Sequence, residues 1–393
     1  MEQLQQTLEK FVSLHAPPGF EGKVRDFVIS EMSQFPSVSW AVDGIGNLLV
    51  RVEGRDPSAK KLLFDAHMDE PCFMVKYIDE RGFLHFVQLG FVVETVATAQ
   101  PVLVHGRKGD INGAFGVRSF HLTTPQQLKE GLTFEDMWID IGANSKKNAY
   151  ELGVRPGSPV TFDSFMRPLV NNCVMGRAMD NRTGCTLALE LVRKAAESPM
   201  RGDVFISFSV QEELYLRGST PVIRGIERYF GTVPDIAIAF DICTAGDFPG
   251  IREGKAPIAL NGGPGVKVYD RSASSHYSQV TPLKLIEEIE RITKERSIPF
   301  QYDFLSGSTN ADVFSLESSG ILTTGISIPC RYTHSPVETI SLQDMKYALD
   351  LCLAILEEAD VVYERASTEN KSANYRKDSN KGGHECRVKK PNG

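Results

Sequence analysis

The residues best suited to chemistry in this chain are histidines and acidic residues, most of which follow short hydrophobic runs. The set consists of His67, Asp180, Glu212, Glu213, Asp241 and His334. Imidazole and carboxylate groups are ligands that zinc-like ions prefer, and two imidazoles with three carboxylates suit a pair of ions. Glu212 is then a spare carboxylate beside the ligand Glu213. The sequence therefore predicts a hydrolase that uses two metal ions.

Four apolar runs rich in branched or aromatic residues lead into this set. They are residues 61–66 before His67, 204–210 before Glu212, 236–240 before Asp241 and 321–328 before His334. Runs of this kind are typical of buried strands in a sheet that is covered on both faces. Ligands collect beyond the carboxyl ends of such strands. We therefore expect the six side chains to meet at one edge of a sheet.

His67 and Asp69 lie two residues apart in a predicted extended segment, so their side chains point to the same side. Asp69 can therefore accept the second ring N–H of His67 and orient the ring as a ligand. The alternative is a charged strand end that turns into a loop, and the His-x-Asp spacing alone does not decide between the two.

Each other residue also has a structural alternative. The pair Glu212 and Glu213 could be a solvated strand end, although two adjacent acids after an apolar strand are costly to desolvate without a nearby cation. Asp180 could cap the helix predicted from about residue 183, or bridge two cations with its two oxygens. His334 could be an exposed loop histidine. Asp241 is a better ligand candidate than Asp247, which is predicted to organise a turn. The combination favours the metal site.

The bulk composition and the remaining motifs exclude several other classes of function. A net charge of -7, without basic clusters in the first 360 residues, argues against nucleic-acid binding. No Gly-x-Ser-x-Gly elbow or P-loop occurs, and residues 262–265 lack the spacing of a dinucleotide site. The first residues carry no signal-peptide pattern and no stretch is long enough to span a bilayer, so a cytoplasmic location is expected. Seven scattered cysteines predict reduced, mostly buried thiols.

The sequence pattern is typical of an α/β domain that is interrupted by a β-rich segment. Helical stripes occur near residues 4–12 and 24–32, and strands are predicted at 38–42, 48–52 and 61–66. Residues 71–162 contain short β-like segments broken by glycines, and strands and helices then alternate up to residue 358. We therefore predict an α/β domain formed by residues 1–70 and 163–363, an inserted β domain at 71–162, and a disordered tail at 364–393.

With these motifs, the chain resembles the tetrahedral (TET) aminopeptidases of metallopeptidase family forty-two, which include glutamyl-aminopeptidase-like enzymes. The likeness covers roughly residues 5–360 and is carried by five motifs: Ala-His-Met-Asp-Glu at 66–70, Met-Asp-Asn-Arg-Thr-Gly at 179–184, Gln-Glu-Glu at 211–213, Phe-Asp at 240–241 and Arg-Tyr-Thr-His-Ser-Pro at 331–336. Jointly they are highly specific to this family.

The resemblance implies a zinc-exopeptidase-like mixed sheet covered by helices, with an inserted β-barrel-like domain that helps to build dimers and a hollow dodecamer. It also implies two divalent ions, zinc or cobalt, with manganese as a further candidate. Both ions would share Asp180; His67 and Asp241 would complete one, and Glu213 and His334 the other. Glu212 matches the general base, and Asp69 the residue that supports the histidine ligand.

The expected activity is an aminopeptidase that removes the N-terminal residue of short peptides. One alternative keeps the two metals but acts on N-acyl amino acids, and a third interpretation is a non-catalytic assembly module with structural metals. Three departures from the family pattern concern substrate preference and assembly more than hydrolysis: Tyr215 where glycine is usual, Asn310 where aspartate is common, and residues 90–93, which lack the usual Gly-Gly-Trp-like turn.

Overall fold

The structure is a computed structural model that describes residues 1–126, 131–252, 254–271, 276–304 and 307–367. Its α-helices are α1 (Glu2–Ser13), α2 (Gly22–Met32), α3 (Glu94–Ala97), α4 (Lys146–Glu151), α5 (Met179–Glu197), α6 (Ser219–Phe230), α7 (Leu283–Arg296), α8 (Ala311–Phe314), α9 (Leu342–Glu357) and α10 (Ala359–Ala366). Because α10 reaches Ala366, residues 364–366 of the predicted tail are helical. Residues 368–393 of that tail lie outside the described residues.

The strands fall into a large sheet, a barrel and a small hairpin. They are β1 (Val38–Val42), β2 (Leu48–Val52), β3 (Leu62–His67), β4 (Cys72–Ile78), β5 (Leu84–Leu89), β6 (Pro101–Gly106), β7 (Gly109–Gly116), β8 (Trp138–Asp140), β9 (Pro159–Phe162), β10 (Arg167–Pro168), β11 (Cys173–Gly176), β12 (Val204–Ser209), β13 (Ile236–Thr244), β14 (Gly265–Lys267), β15 (Tyr269–Arg271), β16 (Ser278–Val280), β17 (Gln301–Asp303), β18 (Leu322–Arg331) and β19 (Glu338–Ser341).

The large sheet has the order β1-β2-β12-β3-β13-β18-β19-β11-β10; β14 also pairs with β18, and β17 pairs with β14. The central strands β12, β3, β13 and β18 are parallel to one another, and the other pairs along this order are antiparallel. Every residue of β3 and of β12 is buried, which agrees with the largely apolar composition of the two strands. The predicted mixed sheet is confirmed.

Helices cover this sheet on both faces. On one face, α1, α2, α5, α7 and α9 pack their apolar sides into the main core, to which the stripe of Leu4, Leu8 and Phe11 belongs. On the other face, α6 and α8 bury a smaller cluster that includes Val222, Ile226 and Phe314. Amphipathic helices bury one face in this way because the sheet offers them apolar surface. The predicted α/β class is therefore confirmed.

The β-rich insertion forms a closed barrel between β3 and β10, with the strand order β4-β5-β8-β7-β6-β9. Its interior is aromatic: the ring of Phe73 lies edge-on to those of Phe86, Phe115 and Phe162, with centroids 4.7–5.7 Å apart. The barrel has a hydrophobic cluster of its own, distinct from the core of the large sheet. The predicted role of residues 71–162 in dimerisation stays a prediction.

Two strands are longer than the sequence predicts: β18 ends at Arg331 and not at residue 328, and β13 passes Phe240. Strand β13 continues to Thr244 instead of ending at Phe240, because its parallel pairing with β18 continues to Cys330. Among the described helices, none has the length and apolar composition that crossing a bilayer requires.

Candidate metal centre

The carboxyl ends of the parallel strands bring the candidate residues to one edge of the large sheet. His67 is the last residue of β3 and is paired with Ser209 at the end of β12, so Glu212 and Glu213 follow on the neighbouring strand. His334 lies three residues beyond the end of β18. Asp241 lies within β13 and not after it, because that strand is longer than predicted. Its side chain is nevertheless buried at the same edge.

Asp180 lies between the two histidines. Its Oδ1 is 3.0 Å from Nε2 of His67, and its Oδ2 is 3.4 Å from Nε2 of His334. Each oxygen of this one carboxylate therefore faces a different imidazole. A carboxylate in this position can share its two oxygens between two cations.

Glu212 and Glu213 complete the cluster from the end of β12. Oε1 of Glu213 lies 3.8 Å from Nε2 of His334, and Oε2 of Glu212 lies 3.9 Å from Nε2 of His67. His67, Asp180 and Glu213 offer donor atoms that all lie within 4.8 Å of one another. The two neighbouring glutamates thus face different histidines, although they lie in a turn after β12 and not in an extended segment.

Asp241 joins this cluster through its electrostatic environment. Burial and the neighbouring Asp180 raise the pKa of the Asp241 carboxyl well above its usual value, against the opposing effect of His67. Its Oδ1 accepts a hydrogen bond from the backbone N–H of Ile242 at 2.7 Å. All six candidate residues therefore belong to one buried region.

Asp180 is not the residue that caps α5. The side-chain Oδ1 of Asn181 accepts the N–H of Gly184 at 2.9 Å, and its Nδ2 donates to the carbonyl of Phe240 in β13 at 2.8 Å. The backbone of Asp180 and of Asn181 is not helical, and the peptide bond between these two residues is cis. The cap thus lies one residue later than the sequence alternative placed it, which leaves both oxygens of Asp180 facing the histidines.

Asp69 holds the segment that carries the two glutamates. Its two carboxylate oxygens accept the backbone N–H groups of Glu212 and Glu213, each at 3.0 Å. Its Oδ1 also lies 3.5 Å from Nδ1 of His67, which is long for a hydrogen bond. The sequence indicated a link between Asp69 and His67, but it gave no indication of the two backbone contacts.

Glu338 was missed by the sequence reasoning. This buried residue of β19 accepts the backbone N–H of His334 at 2.6 Å and that of Asp180 at 3.2 Å. It therefore fixes the backbone of the two residues that face each other across the site. An acid inside an otherwise buried strand is the signal that could have identified it.

The barrel contributes two backbone features to the site. The carbonyl of Phe91 lies 2.5 Å from Nδ1 of His334, so this nitrogen donates and Nε2 keeps the lone pair that a metal ligand needs. The preceding residue, Gly90, has a φ of 87°, and a Cβ there would lie 3.1 Å from Oε2 of Glu213. A glycine is favoured at this position because it permits both the left-handed backbone and the close approach.

A second buried network anchors the N-terminal helix to the same edge. Glu70 is ion-paired with Arg177 and with Arg182, whose Nη2 lies 3.1 Å from Oε1 of Glu70. Arg182 also donates to the carbonyl of Met68 at 2.5 Å and to that of Leu14 at 3.1 Å. The network therefore ties the end of α1 to the loop after β3 and to the start of α5.

The electric charges of the site are unbalanced without cations. Burial raises the pKa of Glu213 to about 7, against the effect of His334, and it raises that of Glu212 well above its usual value, against the effect of His67. Burial would also raise the pKa of Asp180, but the two imidazoles hold it below its usual range. Several carboxylates crowded into a buried space require compensating positive charge.

The donor atoms fit divalent metal ions. Oε1 of Glu213 is buried and has no hydrogen-bond partner among the described residues. Buried polar atoms of this kind are rare unless a water molecule or an ion satisfies them. Imidazole nitrogens and carboxylate oxygens are also the donor set that zinc and similar ions prefer.

Two of the departures from the family pattern, Asn310 and Tyr215, lie in different environments. Asn310 is buried, and its Nδ2 donates to Oδ2 of Asp65 at 2.7 Å and to the hydroxyl of Ser209 at 2.8 Å, behind the end of β12. Tyr215 is 68% exposed and has a φ of 64°. Asn310 thus supports the strands from behind, whereas Tyr215 is open to solvent two residues after Glu213.

Comparison with known proteins identifies similar chains over most of the length. Residues 46–351 match the profile of the family described as M42 glutamyl aminopeptidase. The chain is 32% identical to SgcX of Escherichia coli K12, over 90% of this chain and 93% of that protein. It superposes on a TET aminopeptidase from a marine sediment archaeon of the Thaumarchaeota with a TM-score of 0.85 and 29% identity, covering 92% and 98% of the two chains. The TET1 peptidase of Pyrococcus horikoshii gives a TM-score of 0.77 and 28% identity, with 90% and 99% covered.

Proposed function

The chain belongs to the M42 glutamyl aminopeptidase family, and from that premise we propose that it is a dinuclear-metal aminopeptidase that removes the N-terminal residue of short peptides. Its class as a peptide hydrolase follows from the family and from the aminopeptidases that it resembles. We propose in addition that the chain binds two metal ions, which residues hold them, and that Glu212 transfers the proton.

The position of Asp180 is the observation that carries the proposal. Because its two oxygens lie 3.0 and 3.4 Å from the Nε2 atoms of two different histidines, one carboxylate can serve two ions. His67 and Asp241 would complete one site, and Glu213 and His334 the other. Zinc and cobalt suit this mixed nitrogen and oxygen donor set best, and manganese is a further candidate.

Two divalent ions held by these residues would polarise the peptide carbonyl and lower the pKa of a water molecule. Glu212 is the residue that would move the proton. Its buried carboxylate lies beside the proposed ligands without being one of them, with Oε2 3.9 Å from Nε2 of His67. Glu212 would accept the proton from water at a carboxylate oxygen and then deliver it to the departing amine.

A test of the proposal combines metal content with hydrolysis. Wild-type protein should contain two divalent ions per chain by mass spectrometry and should cleave unblocked aminoacyl chromogenic amides. Glu212→Gln should keep both ions while its kcat falls by about 10²-fold or more, because a positioned acid–base group contributes about that much. Glu227→Gln, at an exposed position of α6, is the matched control and should behave as wild type.

Three results would contradict the proposal. If Glu212→Gln hydrolysed the amides at the wild-type rate, the proposed role of Glu212 would be wrong. A single ion per chain in the active enzyme would remove the dinuclear site. Cleavage that is restricted to N-acylated amino acids would exclude the aminopeptidase and favour a deacylase.

Self-association through the barrel of residues 71–162 is a further part of the proposal. The TET1 peptidase of Pyrococcus horikoshii can assemble into a tetrahedron or a large octahedral shell, and it is similar to this chain over 90% of the length. Light scattering on the purified protein should therefore give a mass of a dimer or of a dodecamer. A monomer at micromolar concentration would contradict this part.

A further inference from the structure

A cavity of about 650 Å³ lies where the segment between α1 and α2 meets the barrel. Residues from three segments line it: 15–23, 105–110 and 155–159. None of the six metal-site candidates is among the lining residues. Cavities of this volume at the junction of two structural units commonly hold small molecules. The metal-centre proposal does not involve this cavity.

The cavity carries an excess of positive charge. Lys23, Arg107 and Arg155 line it together with a single acid, Asp110, whose Oδ2 lies 3.2 Å from Nζ of Lys23. Within the described part of the chain, the guanidinium groups of Arg107 and Arg155 form no ion pair; that of Arg155 lies over the ring of Tyr150, 4.7 Å from its centroid. A guanidinium without an anionic partner is suited to bind a carboxylate or a phosphate with its parallel N–H groups.

Two histidines and one threonine form a connected chain in the cavity wall. The hydroxyl of Thr161 lies 2.6 Å from Nδ1 of His15 and 3.0 Å from Nε2 of His105, and Nδ1 of His105 lies 2.8 Å from Oδ1 of Asp110. Burial and the neighbouring Arg177 lower the pKa of His15 to about 3, and burial lowers that of His105. Both rings are therefore neutral at pH 7, with one protonated nitrogen each.

This chain of contacts determines which nitrogen carries each proton. Asp110 is ionised and only accepts, so Nδ1 of His105 donates to it and Nε2 of His105 accepts from the hydroxyl of Thr161. The oxygen of Thr161 must then accept from Nδ1 of His15. The remaining nitrogen of His15, Nε2, has no partner among the described residues and can only accept a hydrogen bond.

We propose that this cavity binds a small molecule that combines an oxyanion with an N–H or O–H donor on a largely apolar body, the chemistry of an amino acid or short peptide with a free carboxylate. The guanidinium groups of Arg107 and Arg155 bind the carboxylate, and Nε2 of His15 accepts from the donor. The side chains of Pro17 and Pro159 supply apolar wall. A bare oxyanion such as inorganic phosphate satisfies only the first of these requirements.

The experiment is isothermal titration calorimetry on the full-length, metal-loaded protein with three probes. N-acetylalanine has the carboxylate, the N–H donor and a blocked amino group; N-acetylalaninamide is the same body without the carboxylate; inorganic phosphate is an oxyanion without the body. Chromatography after each titration verifies that the probe is intact. The variant Arg107→Ala/Arg155→Ala removes the proposed anion contacts, and Lys108→Ala, a neighbouring cation outside the cavity lining, is the matched control.

N-acetylalanine should saturate one site per chain on the wild type and on Lys108→Ala, and should bind the double arginine variant at least tenfold more weakly. N-acetylalaninamide should also bind at least tenfold more weakly. Circular dichroism and an unchanged rate of aminoacyl-amide hydrolysis verify that the double variant is folded. Each of four results would overturn the proposal: N-acetylalanine does not saturate the wild type, N-acetylalaninamide binds as tightly as N-acetylalanine, the double arginine variant binds N-acetylalanine as tightly as the wild type, or phosphate alone saturates the site. None of these outcomes bears on the metal centre, since the two sites share no residue.

Discussion

Asn181 joins Asp180, a proposed metal-site residue, to both the helix that follows it and the neighbouring strand. Its side chain accepts the N–H of Gly184 at 2.9 Å and donates to the carbonyl of Phe240 at 2.8 Å, and it is completely buried. Asn181→Ala removes both contacts. We therefore expect a loss of stability that exceeds the loss of an ordinary cap.

The magnitude follows from the two contacts taken separately. Replacing an N-cap residue by alanine costs about 1 kcal/mol, and losing one further buried hydrogen bond costs about 1 kcal/mol in net terms. The two contacts use different atoms of the amide and satisfy different backbone groups, so their contributions should add to about 2 kcal/mol.

The assay is urea unfolding followed by circular dichroism, with metal removed from every sample so that ion binding does not contribute. Asn144→Ala is the matched control, because Asn144 is exposed, and its free energy of unfolding should change by less than about 0.5 kcal/mol. If Asn181→Ala changed the free energy of unfolding as little as the control does, the capping argument would be wrong.

Two further predictions test the approach of the barrel to the site and the buried ion network. Gly90→Ala should reduce metal retention against a chelator, because the new Cβ would lie 3.1 Å from Oε2 of Glu213. Gly142 has a similar φ, 73°, and a Cβ there would have no atom within 4 Å, so Gly142→Ala is the control for backbone strain alone. Equal metal retention by the two variants would refute the argument. Burial raises the pKa of Glu70, but Arg177 and Arg182 outweigh this effect and lower the pKa to about 2 from an ordinary value of 4.5. The ionised Glu70 therefore stabilises the folded protein above pH 4.5, and this stabilisation is lost as the pH falls towards 2. Acid unfolding of metal-free Glu70→Gln should therefore lack a contribution on the order of 3 kcal/mol over that range; an acid-unfolding curve parallel to that of the wild type would contradict this.

The sequence was sufficient to predict the ends of two strands that lead into candidate ligands, β3 and β12. The apolar runs before His67 and Glu212 correspond to β3 and β12, and their parallel pairing places the two residues side by side. For β13 the composition after Phe240 gave no reason to extend the strand, because its continuation depends on pairing with β18. Strand length is thus set by a partner far away in the chain, which a local pattern does not contain.

The residues that the sequence reasoning missed act mainly through the backbone. Glu338 accepts the N–H groups of Asp180 and His334, which are 154 residues apart in sequence and meet only in the folded chain. The shift of the helix cap from Asp180 to Asn181 is a different case, because both side chains can cap. The glycine three residues after Asn181 decides it, since a Cβ at Gly184 would lie 2.2 Å from the amide oxygen of Asn181.

The contact between Phe91 and His334 gives the barrel a part in the proposed metal site. The carbonyl of Phe91 accepts a hydrogen bond from Nδ1–H of His334 at 2.5 Å, and this leaves the lone pair of Nε2 facing Asp180 and Glu213. Phe91 belongs to the connection after β5, so the orientation of this imidazole depends on how the barrel is placed against the large sheet. A displacement of that connection would therefore change which proposed ligands can reach the metal position, without any substitution among them. For this reason the insertion cannot be treated as an assembly unit alone: the geometry of the proposed second metal position depends on it.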